Sequence, residues 1–312
     1  MKIVCVESLG ISQARFEDLE AHYAAMGHQF EYHMDRREDE PSLAQRMAGA
    51  DVVVTSNIPL PASVLSQCPK LRYLSVAFTG LDHIDLAYCR QHNIQVQNAA
   101  GYSTTAVSEL AVGMMIDLLR NIVTLSEAMH QGVGRGAFLG RELRGKTVGI
   151  VGTGAIGIAT ARLVLAFGAK VIAWSRTERP EVKAMGVEYL PLDDLLRQSD
   201  IVSLHVPLND DTRHLIGDRE LALMKPTALL VNTARGPVCD IAAVGRALVE
   251  NRIAGAAFDV FEQEPPLPLN HLLLSTNRCL VTPHVAFATE ESFAARADIV
   301  FGHVDDWLQQ QK

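Results

Sequence analysis

A short apolar strand runs directly into a glycine-rich turn and then a helix at Lys146-Thr-Val-Gly-Ile-Val-Gly-Thr-Gly-Ala-Ile-Gly157. No other stretch constrains the fold as strongly. Gly152, Gly154 and Gly157 stand in the order G-x-G-x-x-G, and each has a physical task. Gly152 makes the tight turn, Gly154 lets backbone approach a pyrophosphate, and Gly157 lets the helix pack on the strand. The helix start offers free N–H groups and the positive end of its dipole to phosphate oxygens. The flanks agree with this reading. Val148, Ile150 and Val151 precede the turn, a helix-forming run from Ala155 to Phe167 follows it, Gly168 is a stop, and a second strand is predicted at Val171–Trp174.

The other segments extend the pattern. In the first hundred residues strands are predicted at Ile3–Val6, Phe30–His33, Val52–Thr55, Tyr73–Ala77 and Ile94–Gln97. Helices are predicted between them at Ser12–Met26, Ser42–Ala48, Ala62–Gln67 and His83–His92. Strands alternating with helices imply a parallel sheet covered on both faces. One long helix is expected from about Ser103 to His130, on the spacing of Val107, Leu110, Ala111, Met114, Met115 and Leu118. Six further strands are expected from Thr147 onward, ending at Leu280–Thr282, and one amphipathic helix over Glu290–Gln311 that returns to the first domain. The fold class is therefore α/β, with two doubly wound parallel-sheet domains. A Rossmann dinucleotide-binding domain (101–286) is inserted in a smaller flavodoxin-like substrate domain (1–100, completed by 287–312).

Bulk properties exclude several classes. The net charge is −8 over 312 residues with no long basic run, which argues against nucleic acid as a partner. No apolar run approaches the roughly 18 residues that span a bilayer, and the N-terminus enters a strand with no signal peptide. The five cysteines are odd in number and lack C-x-x-C spacing, so reduced thiols in a cytoplasmic protein are expected, with no metal site.

The second strand of the glycine-motif unit ends in Ala173-Trp174-Ser175-Arg176-Thr177. A carboxylate there would bind a ribose 2′-hydroxyl; a neutral Ser175 followed by Arg176 suits a 2′-phosphate instead. NADP(H) is expected to be preferred, with NAD(H) as the alternative. Three later segments end strands with polar residues: Asn232-Thr-Ala-Arg235-Gly236, Asp259-Val-Phe-Glu-Gln-Glu264, and Thr282-Pro-His284. Together they offer a carboxylate anchor and a proton donor with an acidic partner.

With these segments in order, the chain resembles the D-isomer-specific 2-hydroxyacid dehydrogenase family, and in particular its glyoxylate and hydroxypyruvate reductase members. Ser75–Asp85, Asn98–Glu109, Gly140–Gly157, Asp200–Leu208 and Met224-Lys-Pro226 carry the resemblance with the three segments above, so it spans nearly the whole chain. It implies a catalytic set in which His284 is the general acid, Glu264 keeps its imidazolium available, and Arg235 grips the substrate carboxylate and polarises the ketone. Asn57 and the backbone N–H groups of Thr79, Gly80 and Leu81 would face the substrate. Thr153, Ala155 and Ile156 would join the three glycines at the pyrophosphate, with Ser175, Arg176 and Thr177 at the ribose. His205, Val206, Pro207 and Thr212 would flank the adenosine half. Val107, Thr233, Ala234 and Asp259 complete the cofactor set, Thr233 and Ala234 at the nicotinamide ribose and Asp259 at the carboxamide. Phe287 stands where the family often has glycine. The implied reaction is reduction of a small 2-oxo acid to the D-2-hydroxy acid by a homodimer. The alternatives are an NAD-dependent enzyme for D-lactate, phosphoglycerate or a larger 2-oxo acid, and a dinucleotide-binding corepressor-like protein. A relative of alanine dehydrogenase does not explain the order Arg235, Glu264, His284.

Overall fold

The computed structural model describes residues 1–263, 266–276 and 278–311. The chain divides into two compact units, Met1–Ser103 with Ala288–Lys312 and Thr104–Phe287.

The first unit is built on a five-stranded parallel sheet of β1 (Lys2–Cys5), β2 (Gln29–Tyr32), β3 (Val52–Thr55), β4 (Tyr73–Val76) and β5 (Gln95–Asn98), in the order β2-β1-β3-β4-β5. The central strands β3 and β4 are buried at every position, as sequences Val-Val-Val-Thr and Tyr-Leu-Ser-Val require between two helical layers. The helix Gln13–Ala25 begins where the Ser12 hydroxyl accepts the Arg15 N–H, and it buries Phe16, Leu19 and Tyr23. The last helix, Glu290–Gln309, opens with a reciprocal cap between Thr289 and Ser292 and completes this unit. Its Trp307 stacks on Tyr73 at 5.2 Å and donates to Gln95 Oε1 at 2.6 Å. Buried Arg296 donates through Nε and Nη2 to Leu9 O (3.1 and 2.7 Å) and through Nη1 to Ser56 Oγ (3.2 Å). Burial lowers the pKa of that guanidinium.

The second unit holds seven parallel strands: β6 (Thr147–Val151), β7 (Lys170–Trp174), β8 (Glu188–Tyr189), β9 (Ile201–Leu204), β10 (Leu229–Asn232), β11 (Gly255–Phe258) and β12 (Cys279–Val281). Their order is β12-β11-β10-β9-β6-β7-β8, with the reversal at β6 and β9. This is doubly wound topology. Strand alternation sends Val148 and Ile150 to a layer shared with Met114, Met115 and Val164, and Val151, Val202 and Leu204 to a layer shared with Leu195, Val244 and Phe258. Each such side chain stabilises the fold by about 1.5–3 kcal/mol.

Two expectations are corrected. The two-residue β8 adds a seventh strand. The long helix is in fact two, Thr104–Arg120 and Ile122–His130, because Asn121 takes a left-handed conformation (φ 50°) and Asp117 accepts the Val123 N–H at 2.8 Å. The second of these helices buries none of its residues. Among the described residues, no helix is long and apolar enough to cross a membrane.

Candidate active site

The glycine turn has the geometry its residues predict. Gly152 sits at φ +99°, and a β-carbon there would lie 2.7 Å from His205 O; one at Gly157 would lie 2.0 Å from Gly152 O. No side chain fits at either position. A β-carbon at Gly154 would meet nothing within 4 Å, so the turn is open on its outer side. Gly154 caps the helix Ala155–Ala166 without a side-chain bond, which leaves that helix's first N–H groups for an anion. Thr153 is buried and accepts a hydrogen bond from Tyr189 Oη at 2.8 Å, and Tyr189 Oη accepts from Arg179 N at 3.1 Å. That tie between the turn and the loop after β7 was not foreseen in the sequence.

At the end of β7, Ser175 is half-buried while Arg176 and Thr177 are exposed. Glu178 lies nearby but is paired with Lys183 at 2.5 Å. At the end of β9, the His205 ring meets Ser203 Oγ at 2.9 Å, and burial pushes its pKa down to about 4. It is a neutral group at physiological pH. Val206 is buried. The Thr212 hydroxyl donates to Pro207 O at 2.6 Å, so it serves the loop that follows β9. Val107 is buried in the helix Thr104–Arg120. Thr233 carries a different signal, a buried hydroxyl with no hydrogen-bond partner among the described residues. An orphaned hydroxyl after β10, with an open glycine turn and a bare helix start after β6 of the same sheet, fits a bound dinucleotide, which would supply the missing polar contacts.

The polar ends of β10, β11 and β12 lie side by side. Asn232 pairs with Phe258, and Phe258 with Val281, so Arg235, Asp259 and His284 leave the same edge of three adjacent parallel strands. The outer two strands are about 10 Å apart. Asn232 shapes the first exit: its Oδ1 accepts from Ala234 N at 3.0 Å and its Nδ2 donates to Arg235 O at 2.9 Å. Arg235 also donates through Nη1 to Ala234 O at 2.8 Å. A β-carbon on Gly236 would lie 2.0 Å from the Phe261 carbonyl group, so the Arg-Gly pair is seated against the acidic loop after β11. Glu264 of that loop lies outside the described residues.

Asp259 is fully buried, and its carboxylate is occupied in a way the sequence did not reveal. Oδ1 accepts from Thr282 Oγ1 (2.5 Å) and Val285 N (2.9 Å), and Oδ2 accepts from Ala286 N (2.9 Å). Sequence reading placed this side chain at a carboxamide; the structure shows it holding the loop that carries His284. Burial pushes its pKa up, against the pull of those donors and of His284. His284 itself has φ +55°, its N–H donates to Thr282 O at 2.9 Å, and its ring packs edge-on to Phe287 at 5.3 Å.

In the first unit, Thr79, Gly80 and Leu81 follow β4, and their backbone N–H groups donate to no partner among the described residues. Asn98 Nδ2 fixes this turn by donating to Thr79 O at 2.5 Å. Asn57 follows β3 and is half-buried. Among the described residues, no group of three His, Cys, Asp or Glu side chains could hold a metal ion. A cavity of about 710 Å³ lies against the first residues of β10 and β11 and the whole of β12, and is lined also by Asp117, Val123 and Leu139.

Comparison with known proteins agrees with this geometry. Residues 112–286 match the model for the D-isomer-specific 2-hydroxyacid dehydrogenase family, NAD-binding domain. A glyoxylate reductase of Thermofilum pendens is 42% identical over 247 residues, 77% of this chain and 73% of that protein. A hydroxypyruvate reductase of Thermotoga maritima is 38% identical over 243 residues, 77% of this chain and 79% of that protein. Among solved structures, an acyclic imino acid reductase in complex with NADPH and D-Arg superposes with a TM-score of 0.90 at 28% identity, covering 99% of this chain and 98% of that one. The chain belongs to the D-isomer-specific 2-hydroxyacid dehydrogenase family. It is an oxidoreductase that uses a nicotinamide dinucleotide.

Proposed function

We propose that the protein is an NADP(H)-preferring reductase of small 2-oxo acids, with glyoxylate and hydroxypyruvate as first candidates and D-2-hydroxy acids as products. The observation that carries this reading is the exit of Arg235, Asp259 and His284 from one edge of three adjacent strands, in the parallel sheet whose β6 runs into the open glycine turn. The names of the similar proteins support the substrate class. A bound reduced nicotinamide supplies the hydride. Arg235 grips the substrate carboxylate in a fork and polarises the ketone. His284 gives its proton to the carbonyl oxygen as negative charge develops there. Asp259 holds the loop that aims His284, and Glu264 is its acid partner. The N–H groups of Thr79, Gly80 and Leu81, which donate to no partner among the described residues, suit a carboxylate.

Arg176 supports the cofactor preference. It is exposed at the end of β7, has no ion pair among the described residues, and follows a serine where an acid would repel a 2′-phosphate. A homodimer is proposed as well. The helix Ile122–His130 and the segment after it leave Ile122, Val123, Met129, Val133 and Leu139 exposed, a patch that a second copy would cover. Steady-state assays of glyoxylate, hydroxypyruvate, pyruvate and phenylpyruvate with NADPH and NADH test the reading. Highest kcat/KM with NADPH and the two smaller polar acids supports it; a strong NADH preference overturns the cofactor assignment. Light scattering of the purified protein at twice the chain mass supports the dimer, and a monomer overturns it.

A further inference from the structure

The second sheet ends in the order β6-β7-β8, and Tyr189 is the last residue of β8, in register with Ala173 of β7. Thr153 stands two residues past the end of β6. β7 lies between the two, so about 10 Å separates their strands. The Tyr189 side chain crosses that gap at the carboxyl end of β7, the edge at which open α/β sheets take their ligands. Its hydroxyl donates to Thr153 Oγ1 at 2.8 Å and accepts from Arg179 N at 3.1 Å. Arg179 caps the helix Pro180–Lys183 and closes the loop that begins at Ser175. A second contact holds the ring: Lys183 Nζ lies 6.0 Å from its centroid and pairs with Glu178 of the same loop. On the turn, Thr153 is only 2% exposed, and Gly152 N donates to Trp174 O at 2.7 Å. One phenol oxygen thus bonds both the glycine turn and the loop after β7.

We propose that Tyr189 is a positioning residue for the dinucleotide, its hydroxyl fixing the loop that meets the adenine ribose against the turn that meets the pyrophosphate. This rests on the assignment of the glycine turn and of Ser175–Thr177 to the cofactor. Ribose and pyrophosphate belong to one molecule, so a site that binds both needs its two segments at a set spacing. A loop free to move must be ordered when the dinucleotide binds, and that ordering lowers affinity. The phenol sets the spacing beforehand. It gives the Arg179 N–H its acceptor, and its own proton goes to Thr153 Oγ1, which fixes where the ring stops. A phenylalanine would fill nearly the same volume and bond neither segment. Tyr189 acts through Thr153 and Arg179, and the groups on the turn and the loop make the contacts with the dinucleotide.

The test is fluorescence titration of NADPH and NADH with the wild type, Tyr189→Phe, Thr153→Val, Thr153→Ser and the double variant Tyr189→Phe/Thr153→Val, with kcat for glyoxylate at saturating cofactor and the urea midpoint measured alongside. Tyr189→Phe should raise Kd for both dinucleotides about fivefold, the weight of one neutral hydrogen bond, and change kcat less than about twofold. Thr153→Val should weaken binding as well, whereas Thr153→Ser keeps the acceptor and should stay within about twofold of the wild type. The double variant should bind no more weakly than Tyr189→Phe alone, because both changes break the same bond. An unchanged Kd in Tyr189→Phe, even with a lowered urea midpoint, would overturn the proposal, and so would losses that multiply in the double variant. If Tyr189→Phe did not fold, equal binding by the two Thr153 variants would overturn it. A wild type that bound neither dinucleotide would defeat the cofactor reading itself, and this inference with it. One that bound NADPH but left glyoxylate unreduced would defeat only the substrate assignment, and the titrations would still decide the role of Tyr189.

Discussion

Asp259→Asn should separate two roles for one side chain. The carboxylate accepts three hydrogen bonds, two on Oδ1 and one on Oδ2, from Thr282, Val285 and Ala286. An amide has one acceptor oxygen. If that oxygen keeps the Oδ1 position, the new NH2 group faces the Ala286 N–H, and a buried donor is left opposed to a donor. Such a loss costs about 1–3 kcal/mol. The loop also holds His284 in a left-handed conformation, which costs about 1–2 kcal/mol wherever it is not compensated. The two together bias the loop towards relaxed states that no longer aim the imidazole. The expected result is a fall in kcat of about thirtyfold or more, since the smaller sum is about 2 kcal/mol and each 1.4 kcal/mol is tenfold, with dinucleotide affinity changed by less than about threefold. Stopped-flow reduction at saturating substrate gives the first quantity, and nicotinamide fluorescence titration the second. A rise in the dinucleotide dissociation constant that matched the whole loss, with kcat at saturation intact, would show that Asp259 acts on the carboxamide and that the loop argument is wrong.

Other perturbations follow from the same physics. Arg176→Ala should raise KM for NADPH about tenfold, the weight of one charge-assisted contact, and change that for NADH less than twofold; equal effects on both cofactors would refute the 2′-phosphate role. His205 has its pKa lowered to about 4 in the folded chain, so the unfolded chain binds more protons between that value and its ordinary value of about 6.5. Stability should therefore fall as pH drops through this window, by up to about 3 kcal/mol and less where solvent reaches the ring. Urea titrations at pH 7.5 and 4.5 should show His205→Gln losing less than the wild type, and an equal loss would remove His205 as the cause. Arg296→Met leaves Leu9 O without its two donors and should cost about 1–3 kcal/mol; a midpoint unchanged in urea would show that the last helix is held by its apolar face alone.

The fold was legible wherever one element announced itself locally. Val52–Thr55 and Thr147–Val151 read as strands from short apolar runs, and the glycine turn read correctly because all its determinants lie within six residues. Asn121 was missed because the apolar spacing of the flanking residues continues across the break, and nothing local reports the bond from Val123 to Asp117. β8 was missed because two residues carry no period. The same limit applies to the site. Arg235 and His284 were visible as polar residues at strand ends, but the partners of Asp259 lie 23 to 27 residues away, and Tyr189 is 36 residues from Thr153. Only the fold brings such pairs together.

The account stands most directly on His284 as proton donor. The decisive measurement is single-turnover reduction of glyoxylate by NADPH with the wild type and with His284→Asn, each shown by titration to bind the dinucleotide. The account predicts a D-2-hydroxy acid product where the substrate is prochiral, and a rate lowered about 10²- to 10⁴-fold by the substitution. Reduction by the variant at a rate near the wild type's would contradict it.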